Sequence, residues 1–258
     1  MQRDVFLSLA LVGWFIALAI VEAKFSRDYE RPAKTNADAR FVTNYGLMGL
    51  VLMTGSLLPL ANVAAAFSSK GVDISLASHV SVPWVAIVVL TLLGQTLGAY
   101  WLHRWFHQNA LLWRIHRVHH ADSAVDVSTS LRNHPAELLL TIPMAMFVTV
   151  AIGAPLSAVG VSQTIIVAAT IWDHADISLP PKIDKALSAI IITPRLHRLH
   201  HSPERAIHDS NFGTFFSFWD RLFGTLCVTE GRKEVGLDGQ VDQPDQFVHQ
   251  ILLPLLPA

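Results

Sequence analysis

The sequence predicts an all-α fold, a polytopic membrane helical bundle with a cytoplasmic, histidine-rich helical cap, and three observations lead there. Hydrophobic residues make up 52% of the chain and charged residues 15%, with a mean hydropathy of +0.40, whereas soluble domains carry roughly a quarter charged residues. Long apolar runs alternate with short polar segments. The 13 histidines are grouped rather than scattered.

Residues 4–23, DVFLSLALVGWFIALAIVEA, form the first apolar run. At 1.5 Å per residue they can cross a hydrocarbon core of ~30 Å, so they read as a membrane helix. A cleaved leader is the alternative, but Arg3 is the only early basic charge, and Glu22 and Lys24 flank the candidate cleavage site. Residues 44–67 and 81–101 read as two further spans, the latter ending at Tyr100 and Trp101, whose amphipathic rings favour a membrane boundary. From 136 to 173 the apolar character is interrupted at Gly153, Ala154 and Pro155, as expected of two short spans joined by a sharp reversal.

The segment 24–43 carries Lys24, Arg27, Arg31, Lys34 and Arg40, whereas the next loop carries only Lys70, so the positive-inside rule places 24–43 in the cytoplasm. Counting crossings from there returns the chain to that side at His103 and again at His174, which puts every histidine box on one face. Residues 176–249 hold no span and read as the cap, and the tail ILLPLLPA is too short to cross and packs on the cap or lies in the interface. The expected domains are N-terminal membrane helices over 1–101, a box-bearing domain over 92–225 that includes the hairpin 136–173, and a tail over 226–258.

A net charge of −1 and a pI near 6.9 supply no basic field for nucleic acid. The single cysteine, Cys227, excludes an intramolecular disulfide, a cysteine-ligated iron–sulfur cluster and a CxxC zinc site. Any bound metal therefore falls to histidine. His103 and His107 stand in HRWFH, His116, His119 and His120 in HRVHH, and His197, His200 and His201 in HRLHH. Random placement would give an HxxHH triplet roughly 0.03 times in such a chain.

Residues three or four apart share a helix face, so each box aims its rings together. Imidazole suits iron, zinc, copper and nickel, and so many rings exceed what one tetrahedral zinc could use, which makes two ions the economical reading. The alternative is a set of polar histidines on solvated helix faces. Histidine-held iron at a membrane surface suits O2 activation against an unactivated lipid C–H bond, which redox-silent zinc could not perform.

The succession HxxxH, WRIHRVHH, RNHPAE, DHADI, TPRLHRLHH, DSNFG and WDRLFGT, from about Leu92 to Thr225, resembles the fatty acid hydroxylase/sterol desaturase superfamily of membrane di-iron enzymes, bacterial sterol desaturase family proteins in particular. The resemblance implies two Fe ions, O2 as co-substrate and the nine ligands His103, His107, His116, His119, His120, His174, His197, His200 and His201. His134 matches as a tenth ligand or, with Arg132 and Glu137, as a group that orients a ligand ring. No catalytic residue is expected beyond the ligands. The implied enzyme is a monooxygenase-type oxidoreductase of a bacterial inner membrane, metal site on the cytoplasmic side. It hydroxylates, less readily desaturates, a sterol, hopanoid, fatty acyl or related lipid. Without cysteines for an iron–sulfur centre or a flavin fingerprint, its electrons must come from an external reductase.

Asp173 and Asp176 stand where related bacterial sequences usually carry asparagine, which places a carboxylate near the metals as a ligand or hydrogen-bonded to His174. His208 reads as an incidental surface residue ahead of an extra ligand. The aromatic run Asn211–Thr225 reads as a lid, with Asp220 and Arg221 as a buried polar pair. The alternative function is a zinc-dependent membrane hydrolase, but HRWFH lacks the glutamate of HExxH, leaving Glu137 and Glu204 as candidate bases. A metal carrier would need ionisable residues inside the spans, and the three clearest spans hold none at mid-depth.

Overall fold

Backbone in hydrocarbon must satisfy its own hydrogen bonds, so the long apolar runs fold as helices. In the computed structural model, which describes residues 2–25, 36–57, 76, 80–229, 234–237 and 245–256, these are α1 (Gln2–Phe25), α2 (Ala37–Leu57), α3 (Trp84–Gln108), α5 (Leu138–Ile152) and α6 (Leu156–Asp173), with the short amphipathic α4 (Ala110–His120) following α3. The described residues contain no strand, only the isolated bridge between Ile191 and Phe216. Four stretches are long and apolar enough to cross a membrane: Val5–Phe25, Trp84–Gln108, Pro135–Ile152 and Leu156–Asp173. The span expected over 44–67 begins within α2, and its residues 58–67 lie outside the described residues.

The hairpin turns where the sequence says it should. Gly153 ends α5 in the left-handed region at φ 74°, its N–H bonding back to Thr149 and Val150, and Pro155 starts α6. Along α3, Gly94 and Gly98 leave room for Val148 and Met144 of α5 to pack against the helix backbone. On the other side, Ser162 Oγ donates to the Val88 carbonyl at 3.2 Å and Gln163 Nε2 to Gln95 Oε1 at 2.9 Å, tying α6 to α3. Trp14 Nε1 donates to the Ala168 carbonyl at 2.9 Å and ties α1 to α6.

The aromatic pair Tyr100 and Trp101 does not end α3, which continues to Gln108 and carries the first box on its last turns. Asn109 then caps α4, its Oδ1 accepting from the N–H groups of Leu111 and Leu112, and the reversal brings the second box against the first. The cap contains the short helices α7 (Pro181–Leu187), α8 (Pro194–His200), α9 (Arg205–His208), α10 (Phe218–Leu222) and α11 (Phe247–Leu252). The tail packs on this cap: Arg117 donates to the carbonyls of Leu253 and Leu256 at 2.7 and 2.8 Å, and Leu253 is buried with Leu47, Val118 and Ala121.

Arg40 does more than mark a membrane side. It is buried at the start of α2, its Nε 2.5 Å from Asp122 Oδ1 and its Nη1 2.6 Å from Asp126 Oδ2, so α2 begins on the same end of the bundle as the second box. Asp122 also accepts from Asn44 Nδ2 at 3.2 Å and Thr129 Oγ1 at 2.7 Å. Burial alone would raise the Asp122 carboxyl, but Arg40 and Arg132 outweigh it and hold it below the usual carboxylate range. Asp122→Ala removes the buried carboxylate paired with Arg40, leaving that guanidinium to Asp126 alone, and should cost about 3–5 kcal/mol of stability. Thermal unfolding of the detergent-solubilised variant checks this, and a midpoint equal to wild type would refute it.

Candidate metal centre

Nine of the ten predicted site histidines come together, in two groups. His103, His107, His116, His120 and His200 form one, and His119, His174, His197 and His201 the other, with the ligating atoms of each group within 4.8 Å of one another. Each HxxHH box feeds both. The second box sends its first and last histidines, His116 and His120, to the group of five and its middle one, His119, to the group of four. The third box does the reverse, sending His197 and His201 to the four and His200 to the five. Helix geometry accounts for the split: positions i and i+4 lie about 40° apart around the axis, whereas adjacent positions i+3 and i+4 diverge by about 100°. A helix laid between two centres therefore serves one with its outer pair and the other with its middle ring. His174, at the C-terminal end of α6, completes the smaller group.

Ring orientation is fixed from behind. His103 Nδ1 lies 2.9 Å from the Phe212 carbonyl, His200 Nδ1 2.7 Å from that of Ser210, His119 Nδ1 3.1 Å from that of Arg132 and His174 Nδ1 2.7 Å from that of Thr170. A carbonyl only accepts, so each Nδ1 donates and each Nε2 keeps its lone pair. In the group of five, the Nε2 atoms of His103, His107, His116, His120 and His200 are all buried without a hydrogen-bond partner. In the group of four, His119 Nε2 and His174 Nε2 face each other at 3.1 Å, and both have spent their proton on a carbonyl. Two opposed lone pairs repel unless a cation sits beside them. His197 Nε2 lies 2.9 Å from His174 Nε2, and His201 Nε2 3.2 Å from His197 Nε2, so all four aim at one place.

Burial pushes His119, His120, His197, His200 and His201 well below the usual imidazole range, and neighbouring histidines push the same way. The rings are thus neutral, the form that binds metal. Each group could hold a metal ion.

His134 stays outside both groups. Its Nδ1 accepts from the Ala136 N–H and its Nε2 lies 3.3 Å from the Ile251 carbonyl, because Pro135 starts a 3-10 turn that His134 caps. Its neighbour Arg132 takes the supporting role instead, its carbonyl holding His119, while Glu137 Oε1 lies 3.5 Å from His116 Nδ1 without a hydrogen bond. Asp173 Oδ1 lies 2.7 Å from His174 Nδ1, whereas Asp176 pairs with Arg198 at 2.6 Å, away from the centre.

His208 is not an incidental surface residue: it stacks on Trp113 at 5.3 Å, and with Asp209 and His107 it forms a third cluster of potential ligands. The expected Asp220–Arg221 pair does not form. Asp220 accepts from the N–H groups of Phe212 and Gly213 at 2.8 and 2.9 Å and from Thr225 Oγ1 at 2.7 Å, and Arg221 donates to the Ser188 carbonyl at 2.9 Å. Burial pushes Asp220 up to about 6 against these hydrogen bonds. Asn211, at φ 53°, bridges Leu196 and Cys227 through its side chain. Asp220 and Asn211 therefore set the loop whose carbonyls orient His103 and His200, a role sequence reasoning missed.

A cavity of about 580 Å³ runs from the centre into the bundle between α3, α5 and α6. His103, His116, His119, His174 and His197 line one end, so both groups face it, and its depth is lined mostly by apolar residues such as Leu138, Ile142 and Ile166.

Asp220→Ala frees two orienting carbonyls and should weaken metal retention about 10–100-fold, whereas His134→Ala should leave metal content unchanged. Elemental analysis after chelator challenge reads both. The metal-free protein should also lose stability in acid. Its buried imidazoles titrate below the usual 6.5 and unfolded ones near it, so the unfolded chain binds more protons below that pH. Their contribution is fully present above pH 6.5 and falls as pH drops through it, and a flat unfolding midpoint from pH 8 to 5 would contradict this.

The fatty acid hydroxylase family profile matches residues 88–225. The chain is 30% identical to human (Homo sapiens) alkylglycerol monooxygenase over 151 residues, 56% of this chain and 32% of the relative. It is 29% identical to the ornithine lipid hydroxylase OlsE of Rhizobium tropici over 174 residues, 67% of this chain and 51% of the relative. It is 31% identical to the very-long-chain aldehyde decarbonylase GL1-4 of Oryza sativa subsp. indica over 162 residues, 58% of this chain and 25% of the relative. The matched stretch thus spans between a quarter and a half of these relatives' own lengths. No solved structure matches the chain. With the profile covering just over half of its 258 residues, including all three histidine boxes, the chain belongs to the fatty acid hydroxylase family.

Proposed function

We propose that this chain is an integral membrane oxidoreductase that holds two Fe ions through histidine and uses O2 to hydroxylate a lipid, with desaturation as the less favoured outcome. One observation carries the reading: two groups of buried imidazoles meet at the end of an apolar cavity among helices long and apolar enough to cross a membrane. His103, His107, His116, His120 and His200 would hold one ion, and His119, His174, His197 and His201 the other. Two irons bound there supply the redox chemistry that activates O2 against an unactivated C–H bond.

The remaining work falls to the chain itself. Leu102, Phe106, Ile142 and Ile166 line a slot that excludes water from the reacting carbon. The Phe212, Ser210, Arg132 and Thr170 carbonyls hold protons at four Nδ1 atoms, which fixes the tautomers. Glu137 stands beside His116 at the cavity wall. The substrate is a lipid of the sterol, hopanoid or fatty acyl kind. Electrons arrive from an external reductase, and the centre faces the cytoplasm of a bacterial inner membrane, as the basic segment 24–43 favours. The hydrolase alternative draws no support from the relatives, whose names describe lipid oxygenation or aldehyde decarbonylation.

Mass spectrometry of host lipids, with wild type and His200→Ala expressed under air, tests the reading. A lipid that gains one oxygen only with wild type is expected, and loss of two hydrogens would mark desaturation. No difference, with iron confirmed in the protein and an electron donor supplied, would overturn it.

A further inference from the structure

The wall between the cavity and the membrane is thin at one place. A second hollow of about 470 Å³ lies on the outer side of α3, lined by Gly98, Trp101, Leu102, Arg104, Trp105 and Met144 among others. Leu102 and Met144 also line the metal-bearing cavity, so these two side chains are all that is common to both spaces. Met144 rests on Gly98, where any side chain would collide with its thioether. Higher along the same seam, Val148 closes on Gly94 in the same way, and the helices lie in direct contact. At Gly98 the seam is closed by an unbranched, three-torsion side chain able to swing aside without moving a helix.

The mouth of the hollow has the chemistry of a lipid headgroup site. Trp101 and Trp105 are half exposed and lie at the end of α3 that bears the first histidine box, where amphipathic rings favour the membrane boundary. Arg104 lies between them in sequence, its guanidinium over the Trp101 ring at 5.4 Å and 3.5 Å from the Tyr100 hydroxyl. No carboxylate among the described residues pairs with it. An interfacial guanidinium with no ion pair among the described residues, its charge felt by Asp220 without direct contact, lies above an apolar hollow and complements an anionic headgroup with its acyl chain below.

We propose that this hollow is a lateral portal: an anionic acyl lipid docks with its headgroup at Arg104 and passes its chain between α3 and α5, past Met144 and Leu102, into the cavity. The portal rests on the lipid-oxidising reading above and adds the route and the headgroup class. Its test reads binding, not turnover, so failure of one idea is distinguishable from failure of the other.

The full-length protein in nanodiscs is irradiated with phosphatidylglycerol carrying a mid-chain diazirine, and labelled residues are mapped by mass spectrometry. Labelling is expected on Leu102 and Met144 and, inside the cavity, on Phe106 and Thr141. One interfacial arginine contributes about 1 kcal/mol, so Arg104→Gln, or a diacylglycerol probe lacking the anionic head, should lower labelling about fivefold. Met144→Trp, and independently Leu102→Trp, should keep groove labelling and abolish cavity labelling, with metal content as the check on folding. Cavity labelling that persists in both tryptophan variants, or that is confined to the opposite wall at Gly55 and Leu138, overturns the portal. Equal labelling by the uncharged probe overturns the headgroup assignment.

Discussion

Everything in this molecule depends on keeping nine imidazoles dry and aimed inward. A buried nitrogen without a partner is destabilising by about 1–3 kcal/mol, and opposed lone pairs such as those of His119 and His174 add repulsion. The protein tolerates this in part because four of the rings, His103, His119, His174 and His200, are clamped behind by main-chain carbonyls that no substitution nearby can remove. The clamps in turn require the loop 210–213 to hold its course, which is why Asp220 spends its carboxylate on two N–H groups and a hydroxyl. The two HxxHH boxes share the centres in opposite senses, and His120 and His201 stack between them at 4.5 Å and 25°. Two short helices related in this way give two centres from one repeated motif.

Much of this was legible in the residues. The box spacing names eight histidines, although each HxxHH box divides its rings between two groups rather than aiming them all from one face, and Gly153 with Pro155 announces the membrane reversal. The supporting loop was not legible, because the atoms that orient the rings are carbonyls, which every residue possesses. Asp220 and Arg221 illustrate a different failure: neighbours in sequence point about 100° apart on a helix, so adjacency argued against a pair rather than for one. His134 sits in a motif rich in polar groups, but Pro135 forces a turn that consumes both its nitrogens. Arg40 counted in the sequence only as one positive charge among five, and its partners lie about eighty residues away, beyond any local pattern.

The same two helices build the cavity and carry the centre. α3 runs without a break from the glycine seam at Gly94 and Gly98 to His103 and His107, and α6 runs from Pro155 to its terminal His174. Gln95, which lines the cavity, lies eight residues before His103, or about 12 Å along the axis. The depth of the slot relative to the centre is therefore fixed by helix rise and cannot drift with loop motion.

That arrangement separates two tasks. Apart from His103, His107 and His174 at helix ends, the clustered rings come from α4 and from the cap segment His197–His201, whereas the cavity depth is lined by α5 and α6 residues such as Ile142, Thr149, Val159 and Ile166. Changing the volume of an α5 side chain reshapes the slot without touching a ligand or the carbonyl behind it. α5 carries no site histidine, and its residues meet the cap chiefly through the Pro135–Glu137 turn. Under the proposed function, selectivity for one lipid over another would belong to a helix that carries no ligand, and reactivity to the boxes. A fold divided in this way can alter its substrate by single apolar substitutions in α5, and Met144, standing at once on Gly98, the groove and the cavity, is the position where such a change reaches furthest.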